Sequence, residues 1–305
     1  MSTPRTFTVS APASSGNLGP GFDVFGMALE LRNTVKVKFG TGQVRITGEG
    51  ADELPTDDTN LIARAFAQSA GTSIAAAEVD LHCTNRIPTA RGLGSSTAAA
   101  ACGLIAGWEV IEHEWDEDEL NEALAALDGH PDNAAACAYG GVVLCHDRPE
   151  TPEEHAHLDV IPLGAADWLH MVAVIPERSL STADARAVLP ETYDRRTAVQ
   201  AVAGAALLAA GLVGGHVELL ADALHTDVLH EPQRAELVPE LADVRATLDA
   251  ATSALGATLS GAGPTVLAWC EPDTFDQAAA ALTIDFHEHT ILPLAIASSG
   301  ARVDP

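Results

Sequence analysis

Lysine is almost missing from this chain. Only Lys36 and Lys38 occur among 305 residues, arginine supplies the other basic side chains, and 43 acidic residues outnumber 16 basic ones for a net charge of −27. No Lys/Arg-rich run is present, so a nucleic-acid backbone would be repelled and not bound. Paired cysteines are missing too. Cys83, Cys102, Cys137, Cys145 and Cys270 are odd in number, scattered and without Cys-x-x-Cys spacing. That pattern excludes a disulfide framework and predicts buried free thiols, which suit a reducing cytoplasm. Met1 to Val9 has no apolar core of the kind a signal peptide needs. The longest apolar stretch, Ala201 to Val213, is interrupted by Gly204 and Gly211 and is too short to span a bilayer. It is expected to be a buried helix, and no membrane role follows.

What is present describes a folded protein: 47% hydrophobic residues, 19% charged, and a length that accommodates about two domains. The acidity is dispersed along the chain and does not form a tail. Such charge opposes compaction at ordinary ionic strength, but at about 1 M salt the Debye length shrinks to roughly 3 Å and the penalty fades. This surface resembles that of proteins from salt-accumulating halophiles and bears on no chemistry.

Strands are expected at 6–11, 34–39, 43–47 and 78–83, and helices at 60–69, 95–111, 116–127 and 132–138, with a strand at 142–145. The Pro-, Glu- and His-rich segment 147–157 marks a boundary. Beyond it come strands near 158–163 and 170–175, helices near 182–188, 196–213, 216–225 and 241–255, and a strand–helix–strand series over 266–294. Strands and helices fall in groups, an α+β pattern.

The most informative stretch is Pro88-Thr89-Ala90-Arg91-Gly92-Leu93-Gly94-Ser95-Ser96-Thr97-Ala98. Its glycines let the backbone approach a ligand, and the helix that follows offers N–H groups and the positive end of its dipole. The serines add hydroxyls for phosphate or hydrated Mg²⁺. The Gly-Lys-Ser/Thr ending of a Walker A loop is absent, and a glycine-bearing helix cap is the plain alternative. Two further small-residue loops accompany it: Ala11-Pro12-Ala13-Ser14-Ser15-Gly16-Asn17-Leu18-Gly19-Pro20-Gly21-Phe22-Asp23, and Thr258-Leu259-Ser260-Gly261-Ala262-Gly263-Pro264-Thr265.

Three such loops in this order resemble the GHMP small-molecule kinases, and the resemblance covers essentially the whole chain. The first loop and Asp128-Gly129-His130-Pro131-Asp132-Asn133 are similar to the branch of that family acting on L-homoserine. The resemblance implies a two-domain α+β fold: a ribosomal-protein-like, nucleotide-holding domain over 1–150 and a ferredoxin-like domain over 151–305. The active site would lie between them, and the enzyme would be a cytoplasmic homodimer. It implies ATP and Mg²⁺, and phosphorylation of the homoserine hydroxyl on the path to threonine.

By position in the family motifs, Pro88, Arg91, Gly92, Leu93, Gly94, Ser95, Ser96, Thr97 and Ala98 would cradle the nucleotide, with Ser96 as a Mg²⁺ ligand. Asn60 would lie near the adenine; its plain alternative is a helix N-cap. Asp128 stands where the family has glutamate and would hold the metal directly or through water. Asn133 would orient the acceptor hydroxyl, with Asp132 as general base or as a helix cap. An amino acid is a zwitterion, so Asn17 and Asp23 fit its ammonium end, Arg186 and Arg234 fit its carboxylate, and His130 touches it or supports the fold. Shikimate and mevalonate kinases of the same family stay open as alternatives, although their substrates offer Asp23 no cation. So does a catalytically silent nucleotide-binding regulator, although the phosphate loop is intact.

Overall fold

A computed structural model describes residues 6–149, 157–164, 168–251 and 254–304. The first half carries β1 (Phe7–Gly16), β2 (Phe25–Phe39), β3 (Val44–Gly48), α1 (Leu61–Ala70), β4 (Val79–Asn85), α2 (Ser95–Val110), α3 (Glu117–Asp128), α4 (Pro131–Tyr139) and β5 (Val142–Arg148). The second carries β6 (His157–Gly164), β7 (His170–Ile175), α5 (Thr182–Ala187), α6 (Arg195–Gly214), α7 (Val217–Ala223), α8 (Glu231–Arg234), α9 (Glu240–Ala251), β8 (Gly256–Leu259), β9 (Val266–Cys270), α10 (Pro272–Asp285), β10 (Thr290–Ala295) and β11 (Arg302–Asp304).

The first sheet runs β11-β1-β2-β4-β3, with β5 on the early part of β2 and β6 on β5. Both β6 and β11 lie beyond residue 150, so this sheet draws on both sides of the expected 150/151 division. β1 and β2 extend further than the sequence pattern indicates, β1 to Gly16 and β2 back to Phe25. Their added stretches are small-residue or buried on both faces, and a strand buried on both faces shows no alternation to read. The β1–β2 register shifts between Pro12 and Ala13, as a proline that cannot donate to the ladder permits.

The second sheet is antiparallel throughout, in the order β10-β7-β9-β8. Numbered within the sheet this is 4-1-3-2, the split βαβ arrangement of a ferredoxin-like domain. Val172, Val174, Val266 and Ala268 point to one side, where they meet Val244 and Leu248 of α9 and Leu282 of α10. Met171, Ala173, Leu267 and Trp269 point to the other, into the core shared with the first sheet.

Two expectations are corrected. Thr258 and Leu259, read as the start of the 258–265 loop, belong to strand β8, and α6 is not a buried helix. Only Gly204, Leu208, Gly211 and Leu212 of its 20 residues are buried, while Val199, Val202 and Val213 face outward. Among the described residues α6 is also the one helix long and apolar enough to cross a membrane. It packs against α7 here, and Gly204 abuts Thr226 and Pro20. All five cysteines are buried and free.

Candidate active site

A cleft of about 540 Å³ lies where the β1–β2 loop, the loop into α2, the start of α4, and residues of α5, α8 and the 261–263 turn converge. One wall is backbone. α2 starts at Ser95 from a left-handed Gly94 (φ 65°), with no side-chain cap and no acid in its first turn. The first helical bond runs from the Ala98 N–H to the Gly94 carbonyl at 2.9 Å, so the positive end of the helix opens into the cleft. Side chains fail here: a Cβ on Gly94 would run into Ser14 Oγ, and the φ is one that L side chains rarely adopt.

Neighbouring groups fix the loop. The Ser14 N–H donates to the Leu93 carbonyl at 3.1 Å, and Ser260 Oγ donates to the Gly92 carbonyl at 2.6 Å. Ser95 Oγ donates to the Ile87 carbonyl at 3.2 Å. Arg91 gives its guanidinium to the carbonyls of Pro176 and Thr89, at 3.2 and 2.6 Å, and of Glu177. The Ser95 hydroxyl and the Arg91 side chain therefore brace the loop, and both residues line the cleft. Gly92, Leu93, Ser96 and Thr97 line it too, whereas Pro88 and Ala98 sit buried behind the wall, outside the lining. Asn60 both lines the cleft and caps α1, its Oδ1 accepting from the Ile62 N–H at 2.9 Å. Asp128 ends α3, and its side chain lies outside the described residues.

The other wall is charged. Asp132, in the first turn of α4, is 3% exposed; its Oδ1 accepts from the Asn133 N–H (2.9 Å) and Nδ2 (3.3 Å), and its Oδ2 from the Asn17 N–H (3.1 Å). Burial, with the Asp23 charge adding to it, pushes the Asp132 carboxyl above the ordinary carboxylate range. Asn133 is gripped from the far side by Ser14 Oγ, which donates to its Oδ1 at 2.9 Å. Gly16 must lack a side chain here, because a Cβ would strike the Asp132 carboxylate.

Asn17 lines the cleft and also holds the loop together. Its amide clamps the loop, Nδ2 donating to the Gly261 carbonyl (2.8 Å) and Oδ1 accepting from the Asp23 N–H (3.0 Å). Asp23 and Arg186, expected at opposite ends of a zwitterion, pair with each other through Nη2–Oδ1 (2.9 Å) and Nη1–Oδ2 (3.3 Å). Arg186 Nη2 also lies 3.4 Å from His130 Nδ1. Arg234 is 2% exposed, yet lines the cleft. It donates to the Ala185 carbonyl through Nε (3.0 Å) and to the Gly261 carbonyl through Nη1 (3.3 Å), and burial lowers its pKa. Two contributors escape sequence reasoning. Ser14 carries no signal beyond its place in a small-residue loop. His230 stands four residues before Arg234, a spacing that puts the two on one helical face.

Residues 60–141 match the GHMP kinases N terminal domain, and residues 205–288 match the GHMP kinases C terminal domain. The chain belongs to the GHMP kinase family. This GHMP kinase is 39% identical over 300 residues to a homoserine kinase of Deinococcus radiodurans, covering 96% of this chain and 92% of the relative. It is 34% identical over 304 residues to a homoserine kinase of Desulfitobacterium hafniense, covering 97% and 99% of the two chains. The crystal structure of homoserine kinase from Cytophaga hutchinsonii superposes with a TM-score of 0.82 at 28% identity, covering 100% of this GHMP kinase and 99% of that chain.

Proposed function

We propose that this GHMP kinase transfers the terminal phosphoryl group of ATP to the side-chain hydroxyl of L-homoserine, giving O-phospho-L-homoserine and ADP in threonine biosynthesis. One observation carries the reading: an uncapped helix start and a pair of opposite charges line one cleft. Phosphoryl transfer asks for positioning and charge stabilisation more than for covalent chemistry. The phosphate wall suits an anion, with N–H groups, hydroxyls and no acid in the first turn of α2. The oxygen ligands suit Mg²⁺, which takes few protein ligands beside phosphates and water: the Ser96 hydroxyl, and Asp128 at the end of α3. When bound, that ion neutralises charge on the transferring group.

Asn133, held between Ser14 and Asp132, orients the acceptor hydroxyl. Among the described residues two carboxylates line the cleft; Asp132 is the buried one, and its raised pKa suits it to take the hydroxyl proton. Asp23 and Arg186 exchange each other for the ammonium and carboxylate of the substrate, and Arg234 completes the carboxylate site. A substrate with a carboxylate alone would leave Asp23 without a cation, which disfavours shikimate and mevalonate.

The test is ADP release with Mg-ATP and each of L-homoserine, L-serine, L-threonine, shikimate and mevalonate. Release with homoserine is expected. Release with shikimate or mevalonate instead would reassign the charged wall, and silence with all five would bring forward a regulatory, nucleotide-binding role. The five buried free thiols suit a cytoplasmic enzyme. Assembly as a homodimer draws on the uncharged outer face of α6 around Val202, 71% exposed on a chain of net charge −27. Sedimentation of Val202→Asp beside the unaltered protein reads that, with a lighter species expected for the variant.

A further inference from the structure

The chemistry above leaves one buried imidazole unused. His230 is fully buried at the start of α8. Its Nδ1 lies 2.9 Å from Arg234 Nη1, and its Nε2 lies 2.9 Å from the Gly19 carbonyl oxygen. A guanidinium has donors only, so Nδ1 is the accepting nitrogen, and the proton sits on Nε2, where a carbonyl receives it. Phe22 stacks on the ring, with centroids 5.2 Å apart and planes 23° from parallel. The Arg234 guanidinium carbon in turn stands 5.9 Å from the centre of the Phe22 ring.

The acids around the imidazole are committed elsewhere. Asp227 Oδ2, 3.8 Å from Nε2, accepts the N–H groups of His230 (3.1 Å) and Glu231 (2.7 Å). Glu231 turns away, accepting from the Leu259 N–H and pairing with Arg245, each at 2.8 Å. Gly19 belongs to a left-handed run, Asn17 (φ 71°), Leu18 (φ 51°) and Gly19 (φ 69°), that leads to Asp23. Such backbone is costly and persists only where its surroundings hold it. One ring therefore joins the loop carrying Asp23 to Arg234.

We infer that His230 is a positioning residue for substrate recognition: it holds the Arg234 guanidinium toward the cleft and fixes its spacing from the Asp23 loop. This rests on the reading of the charged wall as an amino-acid site. The experiment compares the unaltered enzyme with His230→Leu and with His230→Gln, whose amide can accept from Arg234 and donate to Gly19. His230→Leu should raise KM for L-homoserine roughly ten- to a hundredfold, the weight of a lost hydrogen bond to a charged group. KM for ATP and kcat should stay within about threefold. His230→Gln should recover most of the loss. With 3-aminopropan-1-ol, which has no carboxylate, His230→Leu and the unaltered enzyme should behave alike.

An unchanged KM for homoserine in His230→Leu, or a loss falling equally on kcat and KM for ATP, overturns the assignment. Failure of the underlying reading looks different: the unaltered enzyme then releases no ADP with homoserine, and the assignment falls with it before any variant is made. If His230→Leu does not fold, nitrogen NMR of the unaltered, isotope-labelled protein decides. A neutral ring protonated at Nε2 is expected for His230, and a ring protonated at Nδ1 overturns the inference.

Discussion

The phosphate wall of the cleft comes from one contiguous loop and helix start braced by β1, whereas the acceptor wall gathers Asp23, His130, Asp132, Arg186 and Arg234 from four separate parts of the chain. The first works by leaving side chains out, so that backbone N–H groups and a helix terminus reach the ligand. The second works by putting charge in. Burial raises the pKa of Asp132 and lowers that of Arg234, and each is held by neutral hydrogen-bond partners, Asp132 by N–H groups and Arg234 by carbonyls and the His230 ring. A wall of backbone fails abruptly when anything is added, and a wall of charges fails by degrees as each is removed.

The sharpest way to break that contrast is to add a side chain to the backbone wall. Gly94→Val forces a branched residue into a left-handed φ and against Ser14, and misplacement of that kind costs about a hundredfold or more. kcat/KM for ATP should fall by at least that factor. Asp132→Asn comes next. Loss of a proton acceptor should lower kcat by about 10²- to 10⁴-fold, read in steady-state assays. Should kcat change by less than about tenfold, Asp132 is a brace for Asn133 and not a base.

The same variant carries a stability signature. Because folding raises the Asp132 pKa, the stability linked to its proton is present below the ordinary carboxylate pKa and is lost as pH rises through the raised value. The Tm of Asp132→Asn relative to the unaltered protein should therefore climb as pH rises above the ordinary carboxylate range. A difference independent of pH would contradict the burial argument.

Removing one half of the exposed ion pair should act more mildly. Asp23→Asn or Arg186→Gln should raise KM for homoserine by about ten- to a hundredfold, with KM for ATP unchanged. A shift in KM for ATP would place that pair on the wrong wall. Least local of all is salt. With a net charge of −27, the Tm should rise between about 0.1 M and about 2 M KCl as self-repulsion is screened. A flat or falling Tm would separate the surface composition from any salt preference.

The contrast also explains what could be read from the sequence. The proposed phosphate wall could be picked out because its residues are neighbours, and Gly92, Gly94 and Ser96 line the cleft. Helix α1 was legible through its apolar spacing and the Asn60 cap, while α2 and α4 begin without a side-chain cap. The residues proposed to bind the acceptor could be named from motif wording, but not their relations. Asp23 and Arg186 are 163 positions apart, and only the fold brings them together. Asn17 lines the cleft as its motif suggests, but only the fold shows that its amide also ties Gly261 to Asp23. Apolar content misled for α6, since it fixes neither which face is covered nor by what. The four-residue α8 is too short to show a period, although His230 and Arg234 sit one turn apart.

The most direct measurement compares kcat/KM for L-homoserine with that for 4-hydroxybutanoate, which lacks the ammonium, and 3-aminopropan-1-ol, which lacks the carboxylate. Both truncated alcohols should fall by about a hundredfold or more, with KM for ATP unmoved, because each strands one charge of the acceptor wall. Turnover of 4-hydroxybutanoate on a par with homoserine would contradict the role given to Asp23, and with it the division of the cleft into a backbone wall and a zwitterion-matching one.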